Sequence, residues 1–217
     1  MAVFKRNLTS SILEKETLKI ISKKKSIISV LELGCGNGNI SQNLASKHPK
    51  NNYSASDISK EAIDQAISSS KAEIKFVTCN GIDAWIDQKF DLVICDISAI
   101  SQKIANLSDW YDGVSCKTGV EGLDLVAPVI KNVGKILNQG GVFIIPVISL
   151  CNVTLQKELL KENFSSVEYS KKVNWPMPKE LLLDMHNHSI NLDSSFLDLE
   201  RKFDLVLAST CAAVCYL

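Results

Sequence analysis

The sequence predicts an α/β domain built on a doubly wound, mostly parallel sheet of seven strands with helices on both faces. Three observations lead there. Short apolar runs alternate with segments of helical pattern along the whole chain, which is what a parallel sheet covered on both faces requires. The first run leaves through a glycine-rich turn, "LELGCGNG", straight into a helical segment, the βα arrangement in which backbone and ligand approach closely. The chain has 217 residues with no internal repeat and no low-complexity linker, a length that suits one domain with a large buried core.

Taken in order, residues 1–25 form an N-terminal helical segment ahead of a domain spanning 26–217. In that segment Ser11-x-x-Glu14 fits a capping box that opens a helix. Strands are expected at 26–33, 51–57, 74–79, 90–96 and 140–149, each a short β-branched or aliphatic run. Helices are expected at 40–48, 59–70, with Ser59 as its cap, and 123–139, which Asn138-Gln-Gly-Gly stops and turns into the next strand. A helix at 154–164 and strands at 165–173 and 202–217 complete the chain. Two segments break this rhythm. Residues 97–121 follow a strand with weak periodicity and read as a long functional loop, and residues 174–199 hold two prolines and read as an excursion from the sheet.

Lys and Arg number 24, as do Asp and Glu, so the formal net charge is zero. No global field draws the chain to nucleic acid or to an anionic membrane, and Lys23–Lys25 reads as a solvated face. Seven cysteines scattered through apolar segments, with no Cys-x-x-Cys pair, fit small core residues in a reducing compartment. No stretch reaches the ~18 apolar residues of a membrane span, so a soluble cytoplasmic protein is expected.

Four features then fall in order along the strand ends. Gly34, Gly36 and Gly38 do not match the G-x-G-x-x-G dinucleotide fingerprint, so a pyrophosphate cradle is disfavoured. Asp57 ends the next strand about twenty residues on, where an acid can accept from both hydroxyls of a ribose; capping the following helix is a compatible second role. Cys79-Asn80-Gly81 ends the third strand, with amide groups suited to the edge of an adenine. Asp96 ends the fourth.

On these residues the chain resembles the class I S-adenosylmethionine-dependent methyltransferases: "LELGCGNG" is similar to their nucleotide loop, "YSASD" to their ribose-binding strand, "FVTCNGID" to their adenine strand and "FDLVICD" to their catalytic strand end. The resemblance covers residues 26–149. It implies the class I methyltransferase fold with an antiparallel C-terminal strand and S-adenosylmethionine as cofactor. It assigns Gly34, Gly36 and Gly38, with Cys35, to the methionyl end, Glu32 to orienting the loop amides or the cofactor's amino group, Asp57 to the ribose, Asn80 and Gly81 to the adenine, and Ile58 to the cofactor without a finer role. Asp96 falls at the transferred methyl, binding the cofactor's ammonium or binding or deprotonating the acceptor. Within the family, "TGVEGLDLVAPVIKNVGKILNQGGVFIIPV" is similar to the corresponding segment of HemK-type protein glutamine N-methyltransferases. Those enzymes carry Asn-Pro-Pro-Tyr where this chain has Asp96-Ile97-Ser98-Ala99. A carboxylate accepts hydrogen bonds but cannot also donate as an asparagine amide does, which argues against an amide acceptor.

Ser98, Trp110, Tyr111 and Asp112 are candidates to hold or cap the acceptor. Glu121-Gly122-Leu123-Asp124 resembles a helix start beside the pocket. Asp184, His186 and His188 would share one face of a strand, yet two histidines and an acid make a thin metal set, and no metal is expected. Cys211 and Cys215 share a strand face and should pack. The expected activity is methyl transfer to a small molecule or a protein side chain. The alternatives are a cofactor-binding partner subunit without turnover, an RNA methyltransferase, for which zero net charge is unfavourable, and a nicotinamide-dependent oxidoreductase, which the glycine spacing disfavours. The oligomeric state is not legible.

Overall fold

The computed structural model describes residues 7–111, 116–191 and 196–217. The first half runs α1 (Leu8–Ile21), β1 (Ser29–Leu33), α2 (Asn39–Lys47), β2 (Asn52–Asp57), α3 (Lys60–Ser69), β3 (Ile74–Thr78) and β4 (Phe90–Cys95). The second half runs α4 (Gln102–Ala105), α5 (Ala127–Asn132), β5 (Leu137–Ile148), α6 (Val153–Asn163), β6 (Ser166–Tyr169), β7 (Val173–Pro176), α7 (Lys179–Asn187), β8 (Glu200–Lys202) and β9 (Leu205–Tyr216). Strand order is β3-β2-β1-β4-β5-β9-β6, with β1 to β5 parallel and β9 antiparallel to β5. Among the described residues seven positions are therefore filled as expected, but by nine strands. Thr210 pairs with both β5 and β7, and Leu207 with both β7 and β8; β7 thus continues the β6 edge of β9 while β8 continues the β5 edge.

Alternation along the central strands sorts the core into two layers. Leu31, Leu33, Val93, Cys95, Phe143 and Ile145 face one way, against Val129 and Ile130 of α5 and Leu159 and Leu160 of α6. Val30, Leu92, Ile94, Val142 and Ile144 face the other, against Ile12 and Leu13 of α1 and Ile40 and Leu44 of α2. Cys211 and Cys215 are buried in the first layer. A third cluster lies over the far end of β5 and β9, where Ile104, Met177, Leu181 and Met185 gather around Ile148 and Ala208.

Several boundaries differ from the sequence expectation. Helix α1 is capped by Asn7, whose side chain accepts the Ser10 amide, because Asn7 leaves a full extra turn of apolar pattern inside the helix; Ser11 and Glu14 therefore lie within it. The expected helix at 123–139 shortens to α5 and a 3-10 turn at Val133–Ile136. Strand β5 then begins at Leu137, and Asn138–Gly141 bulges where the register to β4 shifts. Residues 97–121 contain α4 and a 3-10 turn at Asp109–Tyr111. Residues 174–199 leave the sheet only after β7, through α7. The expected terminal strand is split by a turn at Phe203–Asp204 into β8 and β9. Asp184 and His186 consequently lie on a helix, with His188 closing its end, and residues two apart on a helix do not share a face. Among the described residues no group of three or more His, Cys, Asp or Glu could hold a metal.

From β1 the chain moves to β2 and β3 on one side and returns to β4 on the other. A crevice opens at the carboxyl ends of strands where order reverses in this way.

Candidate active site

Glycines shape the crevice. Gly34, Gly36 and Gly38 all have positive φ, at 74°, 52° and 77°. A Cβ on Gly34 would lie 2.8 Å from the Ile97 side chain and 3.0 Å from the Ile97 amide nitrogen, and one on Gly38 would lie 2.9 Å from the Phe76 ring. Gly34 therefore lets the exit of β1 run against the exit of β4, and Gly38 lets α2 start beneath β3. The loop is fixed by the Gly34 and Cys35 amides, which both donate to the Ser56 carbonyl at 2.8 and 3.0 Å.

Acids surround the space so formed. Asp57 accepts the Gly36 amide at 2.9 Å with one carboxylate oxygen and the Ser59 amide at 2.9 Å with the other, while Ser59 itself caps α3. Glu32 is buried and accepts both the Ser41 amide, at 2.9 Å, and the Ser41 hydroxyl, so that β1 clamps the first turn of α2. Burial pushes the Glu32 carboxyl up to about 8, with the nearby charges of Asp96 and Asp57 adding to the rise and Ser41 opposing it. Asp96, half-buried, accepts the Ser10 hydroxyl at 2.6 Å. Desolvation pushes it up to about 7 against that hydrogen bond. The thiol of Cys35 is pushed far up by burial and by Glu32 and Asp57.

One pocket collects Glu32, Gly34, Cys35, Gly36, Asp57, Ile58, Asn80, Asp96, Ser98 and Tyr111. Ser98 donates to the Tyr111 hydroxyl at 3.0 Å. Ile58 stands 72 % exposed beside Asp57, an apolar face against which a flat ring can lie. Three residues expected at the site are not part of its lining. Gly38 is spent on the α2–β3 approach, and Gly81 makes the turn after Asn80 with φ 51°. Trp110 turns away to pack edge-on against Trp175, ring centres 5.7 Å apart, because Tyr111 beside it already faces the pocket. Asp112 lies outside the described residues. Glu121–Asp124 do not line the pocket either; a Cβ on Gly122 would lie 2.5 Å from the Ile100 carbonyl carbon and 2.7 Å from the Ser101 amide nitrogen, and the next residue, Leu125, reaches the pocket.

Sequence reasoning missed Ser10, Asn37, Asn39, Ile40, Ile97 and Leu125. Asn37, Asn39 and Ile40 sit in and just after the glycine loop and Ile97 follows Asp96, so adjacency could have found them. Ser10 carries no such signal. Among the described residues, three carboxylates and no lysine, arginine or histidine line the pocket, so the described lining is locally acidic. That donor set suits a cation bearing a diol: Asp57 for the hydroxyls, the acidic lining as a whole for the positive charge, Asn80 and Ile58 for a heterocycle.

Comparison with known proteins agrees with this architecture. Residues 24–188 match the methyltransferase domain family, and the chain belongs to it: it is a methyltransferase of class I fold. A search of curated protein sequences finds no match. Among solved structures it is similar to a precorrin-6y methyltransferase from Geobacter metallireducens, at 15% identity and TM-score 0.57, covering 97% of this chain and 92% of that one. It is also similar to the N-methyltransferase NodS from Bradyrhizobium japonicum bound to S-adenosyl-L-homocysteine, at 14% identity and TM-score 0.53 over 98% and 89% of the two chains. A T. thermophilus 16S rRNA methyltransferase with AdoMet and guanosine matches at 12% identity and TM-score 0.58, over 98% of this chain but 43% of that one. At these identities the likeness is one of fold.

Proposed function

We propose that this enzyme transfers a methyl group to a nitrogen or oxygen nucleophile on a small molecule or a protein side chain, with Asp96 binding or deprotonating the acceptor. S-adenosylmethionine is the methyl donor and, when bound, supplies an electrophilic methyl on a positively charged sulfur. Asp57 holds its ribose hydroxyls, Asn80 and Ile58 its adenine, and the glycine loop its methionyl end, while Glu32 fixes that loop through Ser41. The observation that carries this reading is the acid-lined pocket at the β1–β4 switch point, where the described residues supply three carboxylates and no cation.

The same charge pattern bears on the acceptor. A phosphate or carboxylate on the reacting group would meet no counter-charge among the described lining residues and would face the carboxylate of Asp96, which speaks against a nucleic-acid backbone in this pocket. Glutamine amide methylation of the HemK kind is not supported either, since Asp96 offers no donor for an amide carbonyl once ionised. A carboxyl raised to about 7 is well matched to taking a proton near neutral pH. The test uses the methyl-labelled donor with cell extract as the acceptor source. Asp96→Ala is expected to bind S-adenosylhomocysteine as the wild type does and to lose label transfer by roughly 10²–10⁴-fold. Undiminished transfer would remove Asp96 from the reaction.

A further inference from the structure

The N-terminal helix has so far no part in the reaction, yet it places one side chain in the pocket. Ser10 sits in the first turn of α1, is 4 % exposed, and lines the same space as Asp96. Its amide is used by the Asn7 cap at 3.0 Å. Its hydroxyl has one proton and two acceptors in range, the Asn7 side chain at 3.4 Å and the Asp96 carboxylate at 2.6 Å. A charge-assisted bond at the shorter distance wins that competition. The helix is held firmly enough to aim it: Leu13 is fully buried, and Glu14 takes Lys47 at 3.2 Å and Asn43 at 3.3 Å from α2.

We infer that Ser10 is a positioning residue for Asp96, the N-terminal helix supplying the hydroxyl that fixes the orientation of the strand-end carboxylate and favours its ionised form. The inference rests on the role given to Asp96 above. The other groups that face this carboxylate do not support its charge: Glu32 on β1 is a second buried acid, Cys95 precedes it on β4, and Tyr111 approaches from the 3-10 turn as a neutral phenol. Among the described residues lining the pocket there is no cation to replace Ser10. The N-terminal end of the α1 dipole, in whose first turn Ser10 lies, adds a field of the same sign.

Titration of the Asp96 side-chain carboxyl, followed by carbon NMR on the labelled full chain and assigned with Asp96→Asn, tests this without knowledge of the acceptor. Ser10→Ala is expected to raise the Asp96 midpoint by about one pH unit, the size of one lost charge-assisted hydrogen bond. Ser11→Ala, which removes the neighbouring hydroxyl bonded to the Asn7 carbonyl, is expected to leave it unmoved. An unchanged midpoint in Ser10→Ala, or an equal rise in Ser11→Ala, overturns the inference. Circular dichroism confirms that both variants fold. Failure of the Asp96 role itself would show separately, as label transfer that survives Asp96→Ala while the Ser10 effect on the titration persists.

Discussion

On the β1–β2 side of the pocket the lining groups come from residues 32–58, one strand-loop-helix-strand unit; on the β4 side Ser10, Asp96, Ser98, Tyr111 and Leu125 converge from segments scattered through the first 125 residues. The first side is built by local rules. Its backbone must turn with positive φ, its helix must be clamped, and its acid must stand at a strand end, so the residue types announce themselves in order. The second side is built by packing, and its members share only that the fold brings them together. On the proposed function, the side given to the cofactor is local in sequence, whereas the side given to the acceptor is assembled from what the surrounding elements offer.

The largest expected effect strikes the local side. Gly34→Ala forces a side chain into a left-handed backbone and against Ile97 and Asp96, and it should lower unfolding stability by roughly 2–5 kcal/mol in urea titrations. A loss below 1 kcal/mol, on the order of an ordinary surface change, would mean that the exits of β1 and β4 are not locked together as described.

A smaller effect reads the acids on both sides at once. Glu32 titrates near 8 in the folded chain against 4.5 as an unperturbed carboxyl, and Asp96 near 7 against 3.8. Between those values the folded state keeps protons that the unfolded chain has released, so the stability these two acids contribute is fully present below about 3.8 and is lost as pH rises toward 8. Glu32→Gln keeps an acceptor for Ser41 but cannot ionise. Thermal unfolding across that range should show the wild type losing on the order of a few kcal/mol and the variant clearly less. Parallel curves for the two proteins would contradict the burial of a carboxylate at this point.

The same contrast explains what the sequence made legible. The mostly parallel sheet and its reversed C-terminal strand followed from the alternation of apolar runs and the family resemblance, and the strand-end positions of Asp57, Asn80 and Asp96 were enough to bring them to one pocket. Trp110 misled because an aromatic residue in a loop is equally suited to a pocket and to a neighbouring ring, and only the position of Trp175, 65 residues away, decides it. The division of the terminal strand into β8 and β9 was hidden for a related reason: Phe203 takes φ 52°, a turn conformation that phenylalanine does not advertise. Ser10 was illegible because its partner lies 86 residues along the chain, and no local pattern encodes that distance.

Calorimetric titration of the full chain with S-adenosylmethionine, beside Asp57→Ala and with NADH as a control, tests the central claim most directly. The wild type is expected to bind the sulfur nucleotide with micromolar affinity and Asp57→Ala about 10–100-fold more weakly, the cost of losing a charge-assisted pair of hydrogen bonds, with no heat from NADH. Tight NADH binding, or S-adenosylmethionine affinity indifferent to Asp57, would contradict it.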